Sequence, residues 1–333
     1  MMNTPYTAAA DRYEHGMRYK RCGNSGVLLP AISLGLWHNF GDVDNYALSK
    51  QKLQYAFDQG ITHFDLANNY GPSFGSAERT FGQVMKDSFA PYRDELFIST
   101  KAGHDMWQGP YGSWGSRKHL MASLNQSLKR MNLDYVDIFY SHRYDPNTPL
   151  EETLQTLVDI VRQGKALYVG ISKYPYEAAQ FAYDYLRQAH VPCLLYQGRY
   201  SLLSREPEEK GMLQQSKEQG SGFIAFSPLA QGLLTDRYLH GIPADSRIAR
   251  GGFLKKEALT DETLAKIQAL NKLALERGQS LAEMSLAWLL QHESVTSVIV
   301  GASSVQQLAT NLKALNSPTF DEEELRHIEQ IVR

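Results

Sequence analysis

Short continuous apolar runs alternate along the chain with stretches whose apolar residues recur at helical spacing. The runs are Ala31–Gly35, Ile61–Asp65, Leu96–Thr100, Val136–Tyr140, Ala166–Ser172, Cys193–Gln197, Gly222–Ser227 and Ser297–Gly301. Continuous apolar character, bounded by polar residues or glycine, marks strands covered on both faces, as in parallel sheets. Helical signals fill the gaps. Thr148-Pro149-Leu150-Glu151 has capping-box spacing with proline at the first helical position. Leu150, Leu154, Leu157, Val158 and Val161 then form one stripe, and Gly164 closes it. Asp321 and Glu324 repeat the capping spacing, and Ser280–Gln291 adds a helix before the last strand run. Arg18–Leu29 predicts a hairpin around Gly23-Asn24-Ser25-Gly26.

Eight strands alternating with helices predict an α/β fold, a closed (β/α)8 TIM barrel, over an open doubly wound sheet. An N-terminal β-hairpin and extra C-terminal helices complete it. No Ser/Gly/Pro-rich linker divides residues 1–333, so one barrel domain is expected, with roughly the first 16 residues loosely ordered. Leu229–Ala258 is long and poor in pattern, which in a compact domain marks a functional loop. Gly220-Ser221-Gly222-Phe223-Ile224-Ala225 fits a dinucleotide fingerprint. It follows a helix and enters a strand, the reverse of the context that fingerprint needs.

Composition narrows the function class. Lys+Arg is 34 and Asp+Glu is 36, so no basic excess points to nucleic acid. Only Cys22 and Cys193 occur, without CxxC spacing, which argues against a disulfide framework or a thiolate metal site. No metal is expected. The polar start lacks a signal-peptide core, and no apolar run approaches the ~18 residues of a membrane span. The expected location is cytoplasmic.

In a barrel, chemistry sits at the carboxyl ends of the strands. The second strand run ends in Asp65, followed by Leu-Ala-Asn-Asn-Tyr70. The third leads into Lys101, and the fourth into His142. A carboxylate, a phenol, an ammonium and an imidazole are thus expected on one rim. Reduction of a carbonyl needs a proton for the oxygen. A phenol has a reference pKa near 10, and a nearby ammonium lowers it. Tyr70 is the candidate acid, Lys101 the cation beside it, Asp65 the anchor of Lys101, and His142 the group that positions the substrate oxygen. Taken singly, an Asp–Lys pair is often structural and a tyrosine a packing residue.

These residues, in this order and at these strand ends, resemble the catalytic tetrad of the aldo-keto reductase superfamily. The motifs Gly-Ile-Ser-Lys, Tyr-Gln-Gly-Arg-Tyr, Phe-Ser-Pro-Leu-Ala-Gln-Gly and Val-Gly-Ala-Ser-Ser resemble the branch holding potassium-channel β subunits and bacterial glyceraldehyde 3-phosphate reductases. The resemblance implies NADPH (NADP+) as cofactor and reduction of small aldehydes, L-glyceraldehyde 3-phosphate and methylglyoxal among them. It puts Ser172 and Gln197 on the nicotinamide carboxamide and Phe226 against its ring. Phe226 is otherwise a core residue. Ser227, Leu229, Gln231 and Gly232 are implied at the pyrophosphate, with Arg237 adding charge. Ser303, Gln307 and Arg247 are implied around the adenosine 2′-phosphate and Asn311 at the adenine, with Gly35, Trp37 and Gly301 completing the cofactor surface. Ser303 is otherwise a helix N-cap. The family often has Ser-Asn where this chain has Ser172-Lys173, so position 173 takes no role from it.

Substrate-side candidates are Trp37, Trp107 and Arg143, beside Tyr70 and His142. The loop Ala102–Trp114 is expected over the pocket, with Trp107 either walling it or covering the rim. Arg143 either binds an anionic substrate group or pairs with Asp145 or another loop residue. The branch also suggests a homo-oligomer, a tetramer or larger. Two other functions compete. One is an NADPH-binding redox-sensing regulatory subunit like the channel β subunits, which carry Asn where this chain has His142. The other uses Lys101 as a Schiff-base nucleophile.

Overall fold

The computed structural model describes residues 5–243, 248, 249, 251 and 254–333. Eight parallel strands close a barrel in the order expected from the apolar runs. They are β3 (Ile32–Gly35), β4 (His63–Asp65), β5 (Phe97–Ala102), β6 (Val136–Ser141), β7 (Ala166–Ser172), β8 (Cys193–Arg199), β9 (Gly222–Phe226) and β10 (Val295–Val300). Strand β10 pairs with β3 to complete the ring. A hairpin of β1 (Tyr19–Arg21) and β2 (Leu28–Pro30) precedes it.

The helices are α1 (Tyr46–Asp58), α2 (Ser76–Val84), α3 (Arg117–Met131), α4 (Leu150–Arg162), α5 (Tyr176–Gln188), α6 (Glu206–Glu209), α7 (Met212–Glu218), α8 (Asp261–Glu276), α9 (Leu281–Gln291), α10 (Val305–Leu312) and α11 (Glu322–Val332). The barrel fills with side chains because its strands are buried on both faces. The dinucleotide-like segment runs from α7 into β9, the wrong order for that fingerprint.

Local chemistry decides the helix starts. Ser280 with Glu283, and Asp321 with Glu324, form full capping boxes. The box expected at Thr148 does not form. Pro149 is the extended N-cap of α4, and the Thr148 hydroxyl donates instead to Asp145 Oδ2 at 2.7 Å. Before α10 the cap is Ser304, which accepts from Gln307 N, and not Ser303.

Part of the first 16 residues is hydrogen-bonded to the barrel. Between Tyr6 and Arg12 it bonds to α1 and to the segment Tyr92–Glu95. Tyr6 Oη donates to Asp58 Oδ1 at 2.6 Å, Ala8 N donates to the Tyr92 hydroxyl at 3.0 Å, and Arg12 pairs with Glu95. Among the described residues no helix is long and apolar enough to cross a membrane, and both cysteines are buried and free.

Candidate active site

Register builds the site. Asp65, the last residue of β4, pairs with Ser99 on β5, and Lys101 lies two residues farther on. Residues two apart on a strand share a face. Ser99 and Lys101 therefore both reach the Asp65 carboxylate. Ser99 Oγ donates to Oδ1 at 2.7 Å, and Lys101 Nζ donates to Oδ2 at 2.6 Å. A third donor, Gln197 Nε2 on β8, reaches Oδ1 at 3.1 Å. Lys101 Nζ also donates to Leu66 O at 2.6 Å, and the residue is fully buried.

This pair ends a chain of buried hydrogen bonds through the barrel. Ser297 Oγ lies 2.7 Å from Ser33 Oγ, Ser33 Oγ 2.8 Å from His63 Nδ1, and His63 Nε2 3.2 Å from Ser99 Oγ. Because the Ser99 hydroxyl gives its proton to Asp65, it accepts from His63. That fixes the Nε2–H tautomer of His63, whose Nδ1 then accepts from Ser33. Burial holds the His63 pKa down to about 4, so the ring is neutral. The sequence reading missed this chain. Its signal was polar residues inside four apolar strand runs.

Tyr70 sits in the turn between β4 and α2, its N donating to Ala67 O and its carbonyl accepting from Ala77 N. Gly71 makes the turn possible. It has φ of 81°, and a Cβ there would stand 2.2 Å from Ser76 Oγ. The Tyr70 ring keeps an exposed edge on the cavities, and Lys101 Nζ lies 4.9 Å from its centroid. Burial pushes the phenol well above its ordinary pKa, and the Asp65 carboxylate adds to that. The expected net lowering by Lys101 is not found: burial, then the Asp65 carboxylate, outweigh the cation.

His142 follows β6, its ring centroid 5.8 Å from that of Tyr70. Burial, then the charge of Lys101, hold it well below its ordinary pKa, and its Nδ1 has no partner among the described residues. A neutral imidazole with an unused nitrogen can hydrogen-bond a small ligand.

Two cavities meet at Tyr70. One, of about 340 Å³, is lined by Gly35, Trp37, Phe226, Ser227, Leu229, Gln231, Gly232, Arg237, Gly301, Ser303 and Gln307, and reaches Asp65 and Tyr70. The other, of about 1100 Å³, is lined by His104, His142, Lys173, Gln197 and Arg199. Trp37, Tyr70, Phe226 and Ser227 line both.

The smaller cavity has a turn with left-handed backbone along its wall. Ser227, Ala230 and Gln231 all have positive φ, as does Gly232. Within it Ala230 N donates to Ser227 O and Gly232 N to Leu229 O. Nothing lies within 4 Å of where a Cβ on Gly301 would stand. Ser172 Oγ, at the end of β7, is buried without a partner, as is Asn311 Nδ2 on α10. Neither Ser172 nor Asn311 is in the cavity wall itself. Arg247 lies outside the described residues.

Of the alternatives at Trp107 and Arg143, the geometry fits the rim and loop readings. Trp107 packs on His119 with centroids 5.0 Å apart and does not line either cavity. Arg143 is held within the rim loop and not on Asp145. Its Nε donates to Gly103 O at 2.8 Å and its Nη2 to Ser113 Oγ at 2.9 Å, while its guanidinium lies 3.5 Å over the Trp114 ring. Asp105 stands 3.8 Å away. The loop places His104 at the larger cavity instead. Lys173, Arg199 and His104 were not singled out as site residues in the sequence.

Comparison with known proteins agrees with this geometry. A model of the Aldo/keto reductase family matches residues 31–333. The chain is 56% identical over 329 residues to L-glyceraldehyde 3-phosphate reductase of Escherichia coli O157:H7, covering 98% of this chain and 95% of that protein. It is 37% identical over 324 residues to a probable voltage-gated potassium channel subunit beta of Oryza sativa subsp. japonica, covering 95% and 97%. The solved structure of the thermostable aldo-keto reductase Tm1743 superimposes with a TM-score of 0.74 at 28% identity, over 95% of this chain and 100% of that one. With a closed barrel, a buried Lys–Asp pair beside a tyrosine and a histidine, and these relatives, the chain belongs to the aldo/keto reductase family of oxidoreductases.

Proposed function

We propose that the chain reduces short aldehydes to alcohols with NADPH, glyceraldehyde 3-phosphate foremost and methylglyoxal among the others, and that Tyr70 gives the proton. The observation that carries this is the position of Tyr70, on the wall shared by the two cavities and beside the buried Lys101–Asp65 pair. A cofactor in the smaller cavity and an aldehyde in the larger would meet there. The aldo/keto reductase family generally uses a nicotinamide cofactor. The resemblance favours the 2′-phosphorylated form through Ser303, Gln307 and Arg247.

When bound, the nicotinamide supplies the hydride that goes to the carbonyl carbon. The protein does the rest. Tyr70 keeps its proton because its pKa is raised, so it is a loaded donor across the neutral range. The carbonyl oxygen takes that proton from Oη as charge develops on it, leaving a phenolate. Lys101, charged against Asp65, stabilises the phenolate electrostatically. His142, neutral, orients the carbonyl oxygen toward Tyr70. Trp37, with its ring centroid 6.4 Å from that of Tyr70, lines both cavities at the junction. The next turnover then requires Tyr70 to regain a proton from solvent.

Lys101 does not suit Schiff-base chemistry. Its Nζ is engaged by Asp65 and Leu66 O and has no exposed surface. The regulatory reading leaves His142 without a task. The test is NADPH absorbance loss with a panel of phosphorylated and unphosphorylated aldehydes. Turnover at rates ordinary for enzymes, about 1 s⁻¹ or more, supports the reading. Tight NADPH binding without turnover of any aldehyde contradicts it.

A further inference from the structure

The larger cavity carries cations that carbonyl reduction does not use. Lys173 and Arg199 both line it, and among the described residues neither makes an ion pair. Lys173 Nζ instead lies 3.3 Å from His104 Nε2. Burial holds the His104 pKa down to about 4, so its ring is a neutral acceptor for that ammonium. The His104 ring in turn stands edge-on to His142 with centroids 4.5 Å apart. A direct line of contacts thus runs from the carbonyl-orienting imidazole to a cation.

The backbone at Lys173 is unusual. Its φ of 56° lies in the left-handed region, which suits glycine or asparagine and strains a long side chain. Such strain persists where the surroundings demand it, often at ligand sites. Lys173 keeps exposed surface on the cavity, and desolvation of its ammonium, with the charges of Lys101, Arg199 and Arg143, pushes its pKa down to about 8. A bound anion would relieve that repulsion. The carboxylates lining the cavity do not do so. Glu206 is paired with Lys210 at 2.5 Å, and Glu177 sits in the first turn of α5, a favourable place for a carboxylate.

We propose that Lys173 and Arg199 form an anion subsite in the larger cavity that takes the phosphate monoester of a short phosphorylated aldehyde while Tyr70 and His142 hold its carbonyl. The proposal rests on the aldehyde-reductase reading above. It transfers the phosphate-binding role considered for Arg143, which the rim loop occupies, to two cations that face the cavity.

The experiment uses the full chain with Lys173→Met, Arg199→Met and the double variant. The readouts are kcat/KM for glyceraldehyde 3-phosphate and for unphosphorylated glyceraldehyde, at fixed ionic strength. A charge-assisted contact is worth roughly 10–100-fold, so each single variant should lose about that much on the phosphorylated aldehyde, and the double variant more. The unphosphorylated aldehyde, which has no group for the subsite to hold, should lose clearly less than the phosphorylated one in every variant. A second arm needs no turnover. Inorganic phosphate should raise the Tm of the NADPH-bound wild type and not that of the NADPH-bound double variant. Equal losses on both aldehydes overturn the proposal, since the residues then support the site and do not read phosphate. Undiminished phosphate stabilisation in the double variant also overturns it. If the wild type turns over neither aldehyde, the reductase reading fails by itself, and the phosphate arm still decides the subsite.

Discussion

Lys101 and Asp65 form an ion pair at 2.6 Å with almost no exposed surface on either partner. Such a pair is not evidence of stability by itself, because desolvation offsets much of the attraction. Its value here lies in holding one positive charge 4.9 Å from the Tyr70 ring centroid. Lys101→Met leaves the carboxylate buried and unpaired, which costs about 3–5 kcal/mol. The urea midpoint should fall accordingly. The phenol then faces Asp65 without the compensating cation. Its pKa should rise further, so the alkaline limb of the pH–rate profile should move up while the maximum rate falls. An unchanged profile shape would show that Lys101 does not act through Tyr70.

The hydrogen-bond chain behind Asp65 predicts a pH signature of stability. Burial lowers the folded pKa of His63 from 6.5 to about 4. Between those values the unfolded chain holds a proton that the folded chain does not. Stability is therefore lost as pH falls through that window, at 1.36 kcal/mol per unit, or about 3 kcal/mol across it. Above the unfolded value the site contributes no slope. Urea unfolding of wild type and His63→Gln across the window measures this. The wild type should lose more stability than the variant on acidification, by about that amount. Parallel curves would place the acid sensitivity elsewhere.

The barrel was legible because parallel strands covered on both faces leave unbroken apolar runs, and all eight fell where those runs lie. That Asp65, Tyr70, Lys101 and His142 share one rim was legible because strand ends in a barrel converge. What failed was set by competition among neighbours. Thr148 was taken for a cap, but Asp145 captures its hydroxyl. Ser303 was a cap candidate, but its hydroxyl turns to Gln307 Oε1 and Ser304 caps the helix. Arg143 and Trp107 lie near the site in sequence, yet the rim loop packs them on its own residues. His104 and Lys173 touch across 69 positions of sequence, a pairing no local pattern encodes.

Arg143 gives a contrasting prediction. It ties Gly103 O to Ser113 and stacks on Trp114, so it shapes the loop that presents His104. Arg143→Ala should lower kcat/KM for phosphorylated and unphosphorylated aldehydes by similar factors. A lost packed guanidinium with its hydrogen bonds is worth roughly 1–3 kcal/mol to the loop, visible as a lower Tm. A loss confined to the phosphorylated aldehyde would return the phosphate role to Arg143.

Asp65→Asn separates charge from shape at the same position. The amide keeps the bulk but not the charge that holds Lys101, and burial already lowers the Lys101 pKa. Lys101 should lose its proton more readily, and the rate should fall more steeply with rising pH than in the wild type. A pH–rate profile that keeps the wild-type shape would show that the Asp65 charge is not needed.

The central claim is that the Tyr70 phenol delivers the proton, and Tyr70→Phe tests it most directly. The measurement is NADPH absorbance loss with glyceraldehyde 3-phosphate, alongside cofactor fluorescence quenching on the same samples. General acid catalysis is typically worth ~10²–10⁴-fold, so kcat should fall by at least that order while the cofactor Kd changes little. A variant that binds NADPH normally and keeps wild-type kcat would contradict the account.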